Sequence, residues 1–143
     1  MTAQKAIESA NQMKAGNAVP DEQKLAWLTE LDGYIYNDCV KTHLHDFRYS
    51  SWWYKDENNH WVFRDAPVYT TDNATDELIA KKPDEIIYTY WLMAKIDLFS
   101  EEFDKYNQDN ALFEEAYNTF KKRYHRQHKP APHPSIQVGV FRW

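Results

Sequence analysis

The chain has a single cysteine, Cys39, in 143 residues. A lone thiol excludes an intramolecular disulfide, so the fold must be held by its core, and the composition suits a reducing compartment. Glycine is nearly as scarce, at three residues, which argues against glycine-rich phosphate loops and many tight turns. No apolar run approaches the ~20 residues that span a bilayer. The opening Met1-Thr2-Ala3-Gln4-Lys5 leads into a mixed polar helix and not into the apolar stretch of a signal peptide. These absences predict a protein made in the cytoplasm with no membrane partner. A positive charge balance is missing too. The formal net charge is −5, so bulk electrostatics give no drive toward nucleic acid or anionic lipid.

Aromatic residues, by contrast, are abundant. They make up 16% of the chain, with six Trp and ten Tyr. A load this high predicts rings that meet a partner as well as rings that fill a core. Apolar residues at 43% and charged residues at 27% place the chain among globular domains, and the length fits one.

Apolar spacing predicts mainly helical structure. Ala3, Ala6, Ile7, Ala10 and Met13 recur at helical spacing behind a capping Thr2, and Gly16-Asn17 supplies a stop. This face is narrow and built of small residues, which predicts a helix on the domain surface or against a neighbouring subunit. Pro20-Asp21-Glu22 opens a second helix over 21–42. It carries Leu25, Leu28, Leu31, Ile35 and Cys39, with Trp27 and Tyr34 widening the stripe. Ser51-Trp52-Trp53-Tyr54 and His60-Trp61-Val62-Phe63 flank the turn residues Asp56-Glu57-Asn58-Asn59 and read as a β-hairpin. A loop over 67–74 and a short helical turn over 76–80 follow.

Pro83-Asp84-Glu85 opens a third helix, running to about residue 106, with Ile87, Tyr90, Trp91, Ala94 and Leu98 as its buried stripe. Asn107-Gln108-Asp109-Asn110 reads as a break. Ala111, Leu112, Phe113, Ala116, Tyr117, Phe120 and Tyr124 then build a fourth helix with a basic last turn of Lys121, Lys122, Arg123, His125 and Arg126. Beyond it, Pro130, Pro132 and Pro134 make an extended spacer. Ile136, Val138 and Val140 alternate with polar or small residues, which is a strand signature, and Phe141 and Trp143 follow. The expected architecture is a bundle of about four helices over 1–128, with a hairpin inserted at 49–69 and an extended arm over 129–143.

Several groups carry a chemical reading beside a structural one. His125 and His128 stand three apart on a helix, a spacing that can place two ligands on one zinc ion, and His133 is a third donor. The same histidines suit the negative end of a helix dipole. His43-Leu44-His45 is a weaker pair with no nearby cysteine. The cluster from Lys121 to Lys129, with Tyr124 inside it, suits phosphate contacts or simple solvation. Trp52, Trp53, Tyr54 and Trp61 beside Asp56, Glu57 and Asp65 suit a sugar site or a hairpin whose rings pack across strands. No spacing fixes an acid–base pair or a nucleophile, and there is no P-loop, dinucleotide fingerprint, Gly-x-Ser-x-Gly or HExxH. The expectation is no enzyme, no catalytic residue, no metal and no cofactor. The arm is poorly suited to solitary exposure. It either folds back on its own domain or adds a strand to a partner's sheet edge with its rings as anchors.

Several segments resemble one family. They are Met1-Thr2-Ala3-Gln4, the run Trp27-Leu28 through Leu31-Asp32-Gly33-Tyr34-Ile35-Tyr36, and Asp84-Glu85-Ile86-Ile87-Tyr88 through Leu92-Met93-Ala94-Lys95-Ile96-Asp97. Tyr106-Asn107, Ala111-Leu112-Phe113, Ala116-Tyr117, Phe120, Tyr124 and Arg126 continue the pattern. Together these are similar to the head–tail connector (adaptor) proteins of tailed phages. They are packing residues without a chemical signature, and the hairpin region departs from the family's minimal helical pattern. The resemblance implies a structural virion protein of the phage neck. It implies a ring of neighbouring copies, a dodecamer, beneath the portal protein, extending the DNA channel toward the next neck or tail component. DNA would pass through the lumen without sequence-specific binding. Ile136, Val138, Val140, Phe141 and Trp143 would form the portal-binding arm, and Trp52, Trp53 and Trp61 would supply tail-side or subunit contacts. The alternative from another class is a small nucleic-acid-binding regulator that uses the basic end of the fourth helix.

Overall fold

A computed structural model describes residues 1–45 and 50–130. Four helices carry the fold: α1 (Ala3–Met13), α2 (Asp21–Ile35), α3 (Ile86–Phe99) and α4 (Phe103–Gln127). The mainly helical reading holds, and so does the hairpin. β1 (Trp53–Lys55) pairs antiparallel with β2 (Trp61–Phe63), Trp53 opposite Phe63. The residues of the candidate arm from 131 onward, including Ile136, Val138, Val140, Phe141 and Trp143, lie outside the described residues.

α1 begins where Thr2 accepts a hydrogen bond from the Lys5 amide at 3.2 Å, satisfying one of the free donors of the first turn. Its small face does not lie on the surface. Ala3, Ala6 and Ala10 have no exposure and Ile7 very little, and α1 packs chiefly on α3. Small side chains let two helix backbones approach closely, so the narrow stripe packs inside the domain, while Gln4, Lys5, Glu8, Gln12 and Met13, the last expected in the stripe, are exposed and leave the helix at the domain surface.

α2 buries Leu25, Leu28, Leu31 and Ile35 and continues through a π-helical turn, Tyr36–Val40, which buries Cys39. Burial pushes the Cys39 thiol up to about 11, as expected of a small apolar filler. Leu28, Leu31, Ile35, Ile87, Tyr88 and Leu92 form the centre of the core.

Several boundaries differ from the sequence reading: the second helix, expected to 42, is α-helical only to Ile35, and the third starts at Ile86, three residues after Pro83. The break between the last two helices falls at 100–102, where Glu101 adopts a left-handed backbone (φ 59°), and α4 runs unbroken through Asn107-Gln108-Asp109-Asn110. Those polar residues favour turns locally, but Asp109 is buried against Lys14, and that tertiary contact overrides the preference. The segment 76–80 is not helical. Leu78 donates its amide to Met1 O, Ile79 to Asp32 Oδ2 and Ala80 to the Tyr88 hydroxyl. With its donors engaged elsewhere in the fold, the segment has no need of a helical turn.

One buried carboxylate ties this loop down. Tyr69 donates to Asp32 Oδ2 at 2.5 Å and Tyr88 to Asp32 Oδ1 at 2.6 Å. Burial lifts the Asp32 carboxyl above its ordinary range, and these hydrogen bonds oppose the lift. No described helix is long and apolar enough to cross a membrane.

Candidate interaction surfaces at the two ends of the fourth helix

α4 has 25 residues, a rod of about 37 Å at 1.5 Å per residue. Its two ends carry different chemistry.

The C-terminal end gathers the histidines. His43 sits at the end of the turn that follows α2 and is buried. Its Nδ1 lies 2.6 Å from Cys39 O, and its Nε2 lies 2.7 Å from Nδ1 of His125. A carbonyl only accepts, so His43 Nδ1 carries the proton and Nε2 accepts from His125. His45 Nε2 lies 2.9 Å from Val40 O, which makes it a donor by the same logic. Burial holds the His45 imidazole below its ordinary range, and the neighbouring His128 and His43 add to this. His128 stacks on Tyr124 with centroids 4.0 Å apart. The pairs His43/His45 and His125/His128 therefore meet, which neither motif signals in the sequence. Among the described residues no group of three or more His, Cys, Asp or Glu is placed to hold a metal ion. His133 lies outside them. The rings form a stacked clasp.

This clasp adjoins the point where Lys129 and Pro130 are held. Leu44 donates its amide to Lys129 O at 2.7 Å, and His43 pairs with Pro130 as an isolated antiparallel bridge. The hairpin is fastened to the same place. Trp53 Nε1 donates to His45 O at 2.9 Å, and its ring meets Phe63 edge-on. Trp52 packs against Tyr36 and Phe63. Trp52 and Trp53 are thus half-buried and turned toward the bundle, whereas Trp61 is 45% exposed with Lys55 Nζ 5.1 Å from its ring centroid. Tyr54 is covered in a similar way by Arg64. The rings of the hairpin therefore pack across strands and onto the π turn, and of the carboxylates named with them Asp65 lines a cavity beside Trp52 and Tyr54.

Of the basic run in α4, Arg123 faces a cavity of about 450 Å³ that is also lined by Lys81, Lys82, His128, Trp52 and Tyr124. Arg123 reaches Asp84 at 3.4 Å. Lys81 and Lys82, which precede α3, were not linked to the basic run by sequence spacing.

The N-terminal end of α4 is held by charge. Lys14 Nζ lies 2.9 Å from Asp97 Oδ1 and 2.9 Å from Asp109 Oδ2, joining α1, α3 and α4. Both carboxyls are buried. Burial raises the Asp97 carboxyl to about 6, and its hydrogen bond with Asp109 adds to the rise against the pull of Lys14. Asp109 goes the other way. Burial works to raise it, but the Asp97 hydrogen bond and Lys14 outweigh that. Asp97 therefore keeps its proton below about pH 6. Outside this triad, Leu98, Phe99 and Phe103 are 42%, 55% and 59% exposed.

No family model, curated protein or solved structure matches the chain.

Proposed function

We propose that the chain is a neck connector of a tailed phage, a structural protein and not an enzyme, that assembles with copies of itself into a ring beneath the portal and links head to tail. The observation that carries this reading is the fixed root of the arm. The backbone bond from Leu44 to Lys129 and the bridge from His43 to Pro130 hold the chain against a packed bundle at the residues that precede the proposed arm. An arm rooted rigidly loses less orientational freedom when it binds than one hung from a loose tail. Ile136, Val138, Val140, Phe141 and Trp143 are then the portal contact, by strand addition with aromatic anchors. The resemblance of the helical segments to connector proteins supports the same role.

Two features sharpen the reading. The small face of α1 is covered by α3 within one copy, so ring contacts come from other surfaces. Trp61 is the hairpin tryptophan best exposed for a subunit or tail-side contact. The test is gold-labelled antibody on purified particles of the source phage, viewed by electron microscopy. Label at the head–tail junction is expected. Deleting residues 131–143 should leave the helical circular dichroism unchanged and remove the protein from heads. Retained docking by that shortened chain eliminates the arm as the anchor.

A second reading has its own observation. Lys81, Lys82 and Arg123 share one cavity with Trp52 and Tyr124, and cations beside rings suit a nucleic-acid strand. A nucleic-acid-binding regulator would bind oligonucleotides with a steep loss of affinity as salt rises. Flat binding against salt removes it.

A further inference from the structure

The end of the bundle farthest from the arm root has no role in the reading above. There α3 stops at Phe99, the chain reverses over three residues through the left-handed Glu101, and α4 starts at Phe103. Leu98, Phe99 and Phe103 stand exposed within six positions of one another. Single exposed apolar residues are ordinary, but three large ones in one tight reversal form a patch. Phe99 is braced from behind by Trp27, with ring centroids 6.4 Å apart in an edge-to-face contact. The Lys14–Asp97–Asp109 triad holds the three helices together beneath the patch. The patch is therefore presented on a fixed base.

Its rim is mainly acidic. Glu101, Glu102 and Asp104 are all exposed, and Lys105, at 3.0 Å from Glu102, is the one cation in the segment 99–105. An apolar centre with an acidic rim matches a partner that has the opposite rim. The arm leaves from the other end of α4, about 37 Å away along its axis. A connector that holds the head at one end needs a contact at the other.

We infer that Leu98, Phe99 and Phe103, rimmed by Glu101, Glu102 and Asp104, form the docking surface for the next neck or tail component, and that this component presents apolar side chains flanked by Lys or Arg. The identity of the partner rests on the connector reading. The chemistry of the surface does not.

Two experiments separate the two. In the first, the probe is a dye-labelled fifteen-residue helical peptide of Leu and Lys with one apolar face, compared with its Leu and Glu counterpart by fluorescence anisotropy on the full chain. The Leu/Lys peptide should bind at least tenfold more tightly. The double variant Phe99→Ser, Phe103→Ser should remove binding, and Glu101→Gln, Glu102→Gln, Asp104→Asn should weaken it severalfold. All five positions are exposed, and circular dichroism checks that the variants fold. Equal binding of the two peptides, or binding untouched by the Phe variants, overturns the surface. Self-association of the chain that vanishes in the Phe variant also overturns it, in favour of a second copy as the occupant. In the second experiment, phage carrying the Phe variant should give heads that are labelled for this protein but lack tails. Labelled heads that still acquire tails overturn the inference while the connector reading stands. Peptide binding as expected with no label on any particle overturns the connector reading and upholds the surface.

Discussion

The two ends of α4 solve the same problem with different chemistry. At the N-terminal end one half-buried ammonium holds two buried carboxyls, and large apolar side chains are left in the open. At the C-terminal end imidazoles and a tyrosine stack on one another, bond to backbone carbonyls, and pin a strand-like segment. Charge gives the first end a joint that needs every member, because removing one ion leaves another buried and unpaired. Rings and carbonyls give the second end a joint of several small parts, each worth about 1 kcal/mol. One end is thus rigid and brittle, and the other tolerates loss by degrees.

Lys14→Met tests that contrast most severely. It leaves Asp97 and Asp109 facing each other with no cation and should cost about 3–5 kcal/mol in urea unfolding. A cost below about 1 kcal/mol, the range of an exposed pair, would show that the triad is not what holds the three helices. At the other end the largest single effect should come from Trp53→Ala, which loses the bond to His45 O and the edge contact with Phe63. The ring is half-buried, so about 2 kcal/mol is expected, less than a fully buried tryptophan costs. Full helicity with lost hairpin dispersion in the NMR spectrum would accompany it. An unchanged hairpin would mean that Trp52 alone fastens it.

How much of this the sequence made legible depends on the range of the interaction. Thr2 as a cap and Pro20 before Asp21 are local signals, and both helices start where those residues place them. The alternating aromatic runs and Asp56–Asn59 specified the hairpin. The break at 107–110 was misread because Asn and Asp are turn formers until a partner buries them. Asp109 finds that partner in Lys14, 95 positions earlier in the chain. Lys14 itself follows the last apolar residue of α1 and looks like an ordinary helix end. His43 and His125 are 82 residues apart. Each pair was visible as a motif, but nothing in their spacing says that the two motifs touch. The apolar end at Leu98, Phe99 and Phe103 was hidden for a different reason. With the third helix read through to residue 106, Leu98 belonged to a buried stripe. Only the reversal at Glu101 exposes it.

Acidity should act on Asp97 and His45, one at each end, in opposite directions. In the native chain Asp97 keeps its proton up to about pH 6, whereas the unfolded chain releases it near pH 4. The native state then binds more protons between those values, so this group's contribution falls as pH rises from about 4 to 6. His45 is held below its ordinary value near 6.5. There the unfolded state binds the proton first, so stability is lost as pH falls below about 6.5. Relative to the natural chain, Asp97→Asn should be about 1 kcal/mol more favourable at pH 7 than at pH 4, because it removes the cost of ionising a buried carboxyl. His45→Gln keeps a donor for Val40 O and should be more favourable at pH 5 than at pH 8, relative to the natural chain. Urea midpoints at these pH values decide the matter. Differences of the same sign for both variants would erase the contrast between the ends.

The smallest effect belongs to Trp61, and it sharpens the comparison from the other side. Trp52 and Trp53 are turned toward the bundle, but Trp61 faces outward with Lys55 across its ring. An exposed cation–π contact is worth about 0.5–1 kcal/mol, so Trp61→Ala should lower stability by about 0.5 kcal/mol and leave the hairpin paired. A ring left 45% exposed on the hairpin, in a chain with this aromatic load, is available to a contact surface. Sedimentation of the Trp61→Ala chain beside the natural one checks this. Weakened self-association with unchanged urea unfolding places Trp61 between copies. A stability loss near that of Trp53→Ala would instead make it part of the hairpin's own packing, and the ring contacts would then have to lie elsewhere on the bundle.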